Sequence, residues 1–157
     1  MADDASTRMS PTAQLNAQAR PLALQVLFAW DATGSDDVAV AEHITRPTDT
    51  AEHTHEVRQK ARDMARGAWA DRKQIDDTLE RLSPQWPPRR QPAVDRNILR
   101  LAVWELHNTD TPAKAILDEA IELAKEFSTA DSGKFVNGVL DAALRERDAL
   151  LGRVGSE

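Results

Sequence analysis

The sequence lacks cysteine altogether, and it also lacks any long run of apolar residues. Without thiols the chain cannot form disulfides, bind zinc through thiolates or use cysteine as a nucleophile. No window approaches the roughly 18 uninterrupted apolar residues of a membrane-spanning helix, and the N-terminal residues contain no apolar segment. We therefore expect a soluble, cytoplasmic protein that does not contact a membrane.

An excess of positive charge is also missing, since the formal net charge is -6. This charge argues against a broad basic face, so any contact with nucleic acid would use a local patch or a surface shared with a partner. The 157 residues suffice for one domain whose core needs no disulfide or metal.

Helical periodicity begins after a polar N-terminal segment. Residues 1–18 offer too few large apolar groups to offset the entropy of ordering, so we predict a disordered arm. From Pro21 onward, Leu24, Leu27 and Phe28 mark the apolar face of a first helix. Pro21 suits the first position of that helix because its missing N–H would have no helical partner there.

Two further helical patterns lie in the middle of the chain. Residues 36–45 predict a short helix, and Asp49 and Glu52 have the spacing of a capping box. The apolar face over residues 57–82 predicts one long helix or two nearly continuous ones, interrupted only by Gly67. The proline-rich link "PQWPPRRQP" follows it.

The C-terminal half predicts helices as well. Asp95 is expected to cap a helix that is apolar nearly all round and therefore central, and Thr111 is expected to cap the next helix. No segment alternates with period two, so we predict an all-α fold of about six to seven helices. We place the helical domain at residues 19–147 and a flexible tail at residues 148–157.

The stretch "KFVNGVLDAAL" contains a dipeptide, Asn137-Gly138, that is typical of hairpin turns. A hairpin would leave too short a first strand, whereas helical spacing aligns the apolar residues, with Asp131 or Ser132 as cap. We therefore predict a helix. Gly138 then costs about 1 kcal/mol of helix propensity, and either close packing or a ligand surface could account for it.

Residues that could form an active site do not converge. His53 and His55 lie two positions apart, so on a helix they point in diverging directions and cannot share one metal. Asp76 and Asp77 diverge in the same way. With no nucleophile elbow, phosphate loop or metal-ligand spacing, we expect no enzyme, no catalytic residues, no metal and no cofactor.

Three segments, "ARPLALQVLFAW", "DRNILRLAVWEL" and "AIELAKEFSTADSGKFVNGVLD", together resemble the NusB transcription antitermination family over roughly residues 19–145. The resemblance implies an all-helical fold of two packed subdomains. It also implies a non-enzymatic factor that pairs with the ribosomal protein NusE, binds the single-stranded boxA element of nascent RNA and acts with the transcription elongation complex in ribosomal RNA synthesis.

Matching positions carry the family's binding roles. The resemblance implies RNA contacts for Arg20, Phe127, Asp131, Lys134 and Phe135. It implies partner contacts for Phe28, Asp95 and Arg100.

The chain also departs from the family pattern near the first helix. It has "NAQARP" where the family commonly has a run of arginines, so phosphate contacts are fewer. The arginines at 89, 90, 96 and 100 could form a substitute patch, but sequence does not place them on one face. A helical scaffold or homodimer that ignores RNA is the alternative.

Overall fold

The computed structural model describes residues 9–48 and 53–152, and this part of the chain is built from helices. The α-helices are α1 (Pro11–Thr33), α2 (Val38–Ile44), α3 (His55–Ala70), α4 (Arg72–Leu82), α5 (Ala93–Asn108), α6 (Ala113–Phe127) and α7 (Ala130–Leu150). One 3₁₀ turn, Pro88–Arg90, lies in the proline-rich link. The predicted all-α class is confirmed.

Helix α1 begins ten residues earlier than predicted. Ser10 caps it by accepting a hydrogen bond from the Ala13 N–H at 3.1 Å, and Pro11 occupies the start. Pro21 lies inside the helix, where a proline removes one backbone hydrogen bond. The prediction that the helix starts at Pro21 is therefore wrong, and residues 11–18 are helical rather than part of a disordered arm. Residues 1–8 of that arm lie outside the described residues.

Tertiary contacts explain why α1 continues through its proline. The buried Asn16 amide donates a hydrogen bond to the Thr111 hydroxyl at 3.0 Å, and Ala13 and Ala19 are buried in the same part of the helix. These contacts offset the interior proline, which alone costs about 3 kcal/mol.

Three of the predicted helix caps are wrong. Helix α5 begins at Ala93, so Asp95 lies within its first turn. Helix α6 begins at Ala113, and Thr111 lies outside the cap position. In α7 the cap is Thr129, whose hydroxyl accepts from the Ser132 N–H at 3.1 Å, rather than Asp131 or Ser132. The predicted capping box at 49 and 52 lies outside the described residues.

The long apolar pattern over residues 57–82 forms two nearly continuous helices, α3 and α4, which meet at Asp71. Near the end of α3, Gly67 leaves room for the indole of Trp104 on α5. A Cβ at this position would lie 2.7 Å from the Trp104 Nε1, which is closer than van der Waals contact allows. Gly67 therefore sets how closely α3 approaches α5.

Helix α5 lies at the centre of the fold. It contacts α1, α3, α4, α6 and α7, while α1 with α3 and α6 with α7 make the most extensive helix pairs. Ile98, Leu99, Leu101 and Val103 are nearly inaccessible to solvent, as expected for a helix that is apolar nearly all round.

Helix α7 contains the Asn137-Gly138 dipeptide, so the helical prediction is confirmed. The helix continues to Leu150, and the predicted tail at residues 148–157 therefore begins too early; residues 153–157 lie outside the described part. Within the described ranges, no helix combines the length and apolar character needed to cross a membrane.

Candidate interaction surfaces

An apolar groove lies between α1, α2, α5 and the end of α6. It has a volume of about 360 Å³ and is lined by Pro21, Leu24, Gln25, Phe28, Ile44, Val94 and Phe127. Phe28 is 43% exposed and Phe127 is 53% exposed, although both are large aromatic side chains. Exposed apolar surface concentrated in a groove is typical of an interaction site.

A second cavity of about 330 Å³ lies between the proline-rich link and the start of α7. It is lined by Trp86, Pro92, Asp95, Ser128, Thr129, Asp131, Ser132 and Phe135. Two aromatic rings, Trp86 and Phe135, and two carboxylates, Asp95 and Asp131, thus line one space. We call this space the α7 cavity.

The groove and the α7 cavity adjoin each other. Val94 lines the groove while Asp95 lines the cavity, and Phe127 lines the groove while Ser128 lines the cavity. The two surfaces do not separate the residues as the resemblance did. Phe127, predicted to contact RNA, lines the groove with Phe28, which was predicted to contact the partner. Asp95, predicted to contact the partner, lines the cavity with Asp131 and Phe135, which were predicted to contact RNA.

Asp95 is held by a cluster of hydroxyl groups. The Ser132 Oγ donates to the Asp95 Oδ2 at 2.9 Å, and the Ser128 and Thr129 hydroxyls lie 2.9 and 3.0 Å from the Ser132 Oγ. Asp95 is only 3% exposed, and its Oδ1 has no hydrogen-bond partner among the described residues. The cluster joins the start of α5 to the start of α7 and fixes one wall of the cavity.

The exposed face of α7 continues away from the cavity. Asp131, Lys134 and Gly138 are three and four residues apart, so they lie on one face, and all three are exposed. Lys134 has no ion-pair or hydrogen-bond partner within residues 9–48 and 53–152. No atom lies within 4 Å of a Cβ built on Gly138. Close packing therefore does not explain this glycine within the described chain, and the ligand-surface interpretation stays open.

Arg20 lies in the interior and lines neither the groove nor the α7 cavity. Its Nε and Nη2 donate to the Glu105 carboxylate at 2.5 and 2.6 Å, and its Nη1 contacts Glu119. Burial raises the pKa of the Glu105 carboxyl above its ordinary value, against the lowering by the hydrogen bonds and charge of Arg20. Because Arg20 is 2% exposed, the structure does not present it to a ligand.

Arg100 belongs to a second ion network, between α1, α4 and α5. It donates to Asp76 at 2.8 and 2.6 Å and to Asp31 at 3.2 Å. Arg100 uses the Oδ1 of Asp31, and Arg96 donates to the other carboxylate oxygen, Oδ2, at 2.9 and 2.5 Å. Neither arginine joins a common patch with the exposed Arg89 and Arg90, so the four-arginine patch does not form, and Arg100 has a structural position.

The network also shifts two pKa values. Burial acts to raise the pKa of Asp31, but hydrogen bonds from Arg96 and Asn97 and the charges of Arg100 and Arg96 outweigh it and hold the pKa below its ordinary value. Burial acts to lower the pKa of Arg100, and the hydrogen bonds and charges of Asp76 and Asp31 raise it above its ordinary value. Both groups are therefore stabilised in their charged forms.

The described residues contain no group of three or more histidine, aspartate or glutamate side chains placed to hold a metal ion. What the fold presents is an exposed aromatic groove next to a cavity with aromatic, acidic and hydroxyl groups. The fold and these surfaces place the protein in the class of all-helical proteins that bind other macromolecules through an extended surface.

Comparison with known proteins identifies the family. The sequence profile of the NusB family matches residues 17–145. A transcription antitermination protein NusB of Symbiobacterium thermophilum is 44% identical over 134 residues, which cover 82% of this chain and 88% of that protein. The NusB of Solibacter usitatus is also 44% identical, over 131 residues, with the same two coverages. The chain therefore belongs to the NusB family.

Solved structures show the same fold. NusB of T. maritima has a TM-score of 0.71 and 33% identity, covering 88% of this chain and 94% of its own. A structure of the antitermination factors NusB and NusE in complex with dsRNA has a TM-score of 0.75 and 25% identity, covering 87% of this chain and 99% of the matched one.

Proposed function

We propose that this protein is a non-enzymatic transcription antitermination factor that pairs with the ribosomal protein NusE and binds boxA-type single-stranded RNA. In this role it acts with the transcription elongation complex and supports ribosomal RNA synthesis. The family assignment supports the proposal, as does the solved complex of a relative with NusE and RNA. The observation that carries it is the adjacency of the apolar groove and the α7 cavity.

The groove is the proposed docking site for the protein partner. Phe28 and Phe127 are half-exposed aromatic side chains, and such residues dominate the binding energy of protein interfaces when a partner buries them. The nearby ion networks hold α1 against α5, so the groove is formed before binding. Preformed surfaces bind more tightly because less conformational entropy is lost.

The α7 cavity and the exposed start of α7 are the proposed RNA site. Phe135 can stack an unpaired base, and the free ammonium of Lys134 can contact phosphate. Asp131 cannot attract phosphate, but its carboxylate can accept a hydrogen bond from the donor edge of a base. Asp95 supports the site by holding Ser132 at the start of α7. Arg20 and Arg100 act through the fold, because their guanidinium groups are engaged internally.

The test is a binding titration with fluorescent boxA-type RNA and a scrambled RNA, with and without NusE, over a series of salt concentrations. Selective RNA binding that increases with NusE is expected. Lys134→Gln should weaken RNA binding and reduce the salt slope by about 0.7, the value for one phosphate contact on a single strand. Lys114→Gln is the control, because Lys114 is 86% exposed at the other end of the helical pair.

The partner site is tested separately. Phe28→Ala and Phe127→Ala should each weaken NusE binding by about 2 kcal/mol if they are central interface residues. Leu150→Ala, a residue 77% exposed at the end of α7, should leave NusE binding unchanged. Absence of selective RNA binding even with NusE, together with self-association measured by sedimentation, would instead identify a homodimeric scaffold.

A further inference from the structure

Few basic side chains near α1 can contact the phosphates of an RNA, because the chain lacks the run of arginines that the family commonly has there. Arg20 is buried in an ion pair, and Arg96 and Arg100 are engaged with Asp31 and Asp76. Of the four arginines at 89, 90, 96 and 100, only Arg89 and Arg90 are exposed, and both lie in the proline-rich link.

The same link presents an aromatic side chain at the α7 cavity. Trp86 is 43% exposed and lines the cavity together with Phe135. Trp30 and Trp69 are by contrast buried in the core, where their rings meet edge to face at a centroid distance of 5.7 Å. The exposure of Trp86 therefore distinguishes it from these core tryptophans.

Basic and aromatic groups are combined at this position. The guanidinium of Arg90 lies 5.7 Å from the centre of the Trp86 ring, within the range of a cation–π contact. The Arg89 side chain is 72% exposed, and its one ion pair within the described residues, to Glu80, is 3.3 Å long and largely solvated. Such a pair contributes little to stability and leaves Arg89 available to a phosphate.

The link is fixed rather than loose. The Arg96 Nη1 donates to the carbonyl oxygens of Pro88 at 3.1 Å and Gln91 at 3.2 Å, while Arg96 also binds Asp31 on α1. The Gln91 side chain donates to the Trp86 carbonyl at 2.9 Å. Pro87 and Pro88 are buried. The backbone that carries the indole and the two arginines is thus held in position before any ligand arrives, which lowers the entropic cost of binding.

We propose that the link is a second part of the RNA site: Trp86 stacks on an unpaired base at the α7 cavity, and Arg89 and Arg90 bind the adjoining phosphates. Stacking on aromatic rings with nearby cationic groups is the usual chemistry of single-stranded RNA recognition. The inference rests on the proposed function, since it extends the same RNA surface from α7 across the cavity to the link. It supplies phosphate contacts that the N-terminal helix does not present.

The experiment uses the full chain with NusE and the same boxA-type RNA. Loss of one stacked base in Trp86→Ala should raise the Kd roughly 5- to 160-fold, and Trp86→Phe should recover most of the affinity. Arg89→Gln/Arg90→Gln should reduce the salt slope by about 1.4, the value for two phosphate contacts. The control Arg66→Gln/Arg145→Gln removes the same charge from exposed side chains on α3 and the later part of α7, and it should leave the slope unchanged.

Tryptophan fluorescence gives a readout that a purely structural role would not produce. RNA should quench the emission of the wild-type protein more than that of Trp86→Phe, and thermal unfolding should show that the variants remain folded. If the wild type binds RNA and Lys134→Gln weakens it, but the Trp86 and arginine variants bind normally, the role of the link is refuted while the proposed function stands. If the wild type does not bind the RNA at all, the proposed function fails and the inference fails with it.

Discussion

The Glu105 carboxylate on α5 accepts two hydrogen bonds from the Arg20 guanidinium on α1, at 2.5 and 2.6 Å. The two side chains are 3% and 0% exposed, so the pair lies fully inside the protein. Such a buried pair joins the first helix to the central helix. Removing one member would leave the other charge buried without its counter-charge.

Arg20→Ala should therefore lower the free energy of unfolding by about 3–5 kcal/mol. The double variant Arg20→Met/Glu105→Met should lose much less, because it removes both charges and retains apolar volume. Urea unfolding of the three proteins measures the difference. An Arg20→Ala protein that keeps its stability but loses RNA affinity would show that Arg20 contacts RNA after all.

Asp31 should make the free energy of unfolding depend on pH in the acid range. Its pKa in the folded protein lies below the ordinary value of 3.8, so the unfolded chain takes up the proton first as the pH falls. The stabilisation is complete above that ordinary value and is lost as the pH falls through the lower folded pKa. Asp31→Asn should cost about 3 kcal/mol near neutral pH, because Arg96 and Arg100 lose a charged partner.

The measurement for Asp31 is urea unfolding of the wild type and Asp31→Asn from about pH 7 down to about pH 3. The stability difference between the two proteins should narrow toward the acid end. A difference that is constant over the whole series would contradict the depressed pKa. Asp141→Asn is a suitable control because Asp141 forms an exposed ion pair with Arg145, from which little stability is expected.

Ser132 should stabilise the protein through its hydrogen bond to Asp95 in the wall of the α7 cavity. Ser132→Ala removes the hydroxyl that donates to Asp95, whose other oxygen already has no partner among the described residues. Leaving a buried acceptor unsatisfied costs about 1–3 kcal/mol. Thermal unfolding should show this loss, whereas Ser35→Ala, at an exposed position after α1, should change stability little. Equal stability of the two variants would mean that Ser132 does not support Asp95.

Local sequence patterns were sufficient for most helices and for the helical state of Asn137-Gly138. The start of α1 was predictable in part, since Ser10-Pro11 is a regular helix beginning, but the polar composition of residues 1–18 outweighed it. The contact that holds this end of the helix joins Asn16 to Thr111, 95 residues away. No local rule could show that contact.

For the candidate site, too, the sequence predicts some residue types but not the long-range contacts that bring them together. Phe28 and Phe127 could be selected as aromatic residues, yet their meeting in one groove depends on how α1 packs near α6. Arg20 resembled a free basic residue because its partner Glu105 is 85 positions away. Trp86 lies in the proline-rich link, where no helical periodicity indicates its surroundings, so its place at the α7 cavity follows only from the path of that link.

Two glycines in helix interiors are expected to respond oppositely to alanine. A Cβ on Gly67 would lie 2.7 Å from the Trp104 Nε1, and the rigid indole cannot move without disturbing α5. Overpacking of this kind typically costs about 1–3 kcal/mol, which exceeds the gain of up to about 1 kcal/mol in helix propensity. Gly67→Ala should therefore destabilise the protein.

Gly138→Ala should have the opposite effect on stability, because nothing lies within 4 Å of the added methyl group. The helix α7 should gain about 0.5–1 kcal/mol from the higher propensity of alanine and the lower entropy of the unfolded chain. Urea unfolding of both glycine variants beside the wild type measures the two signs. The same Gly138→Ala protein then distinguishes the explanations for the glycine: weaker binding of RNA or NusE despite higher stability would show that a ligand approaches the helix backbone here. Unchanged binding of both would place this turn of α7 outside the interface.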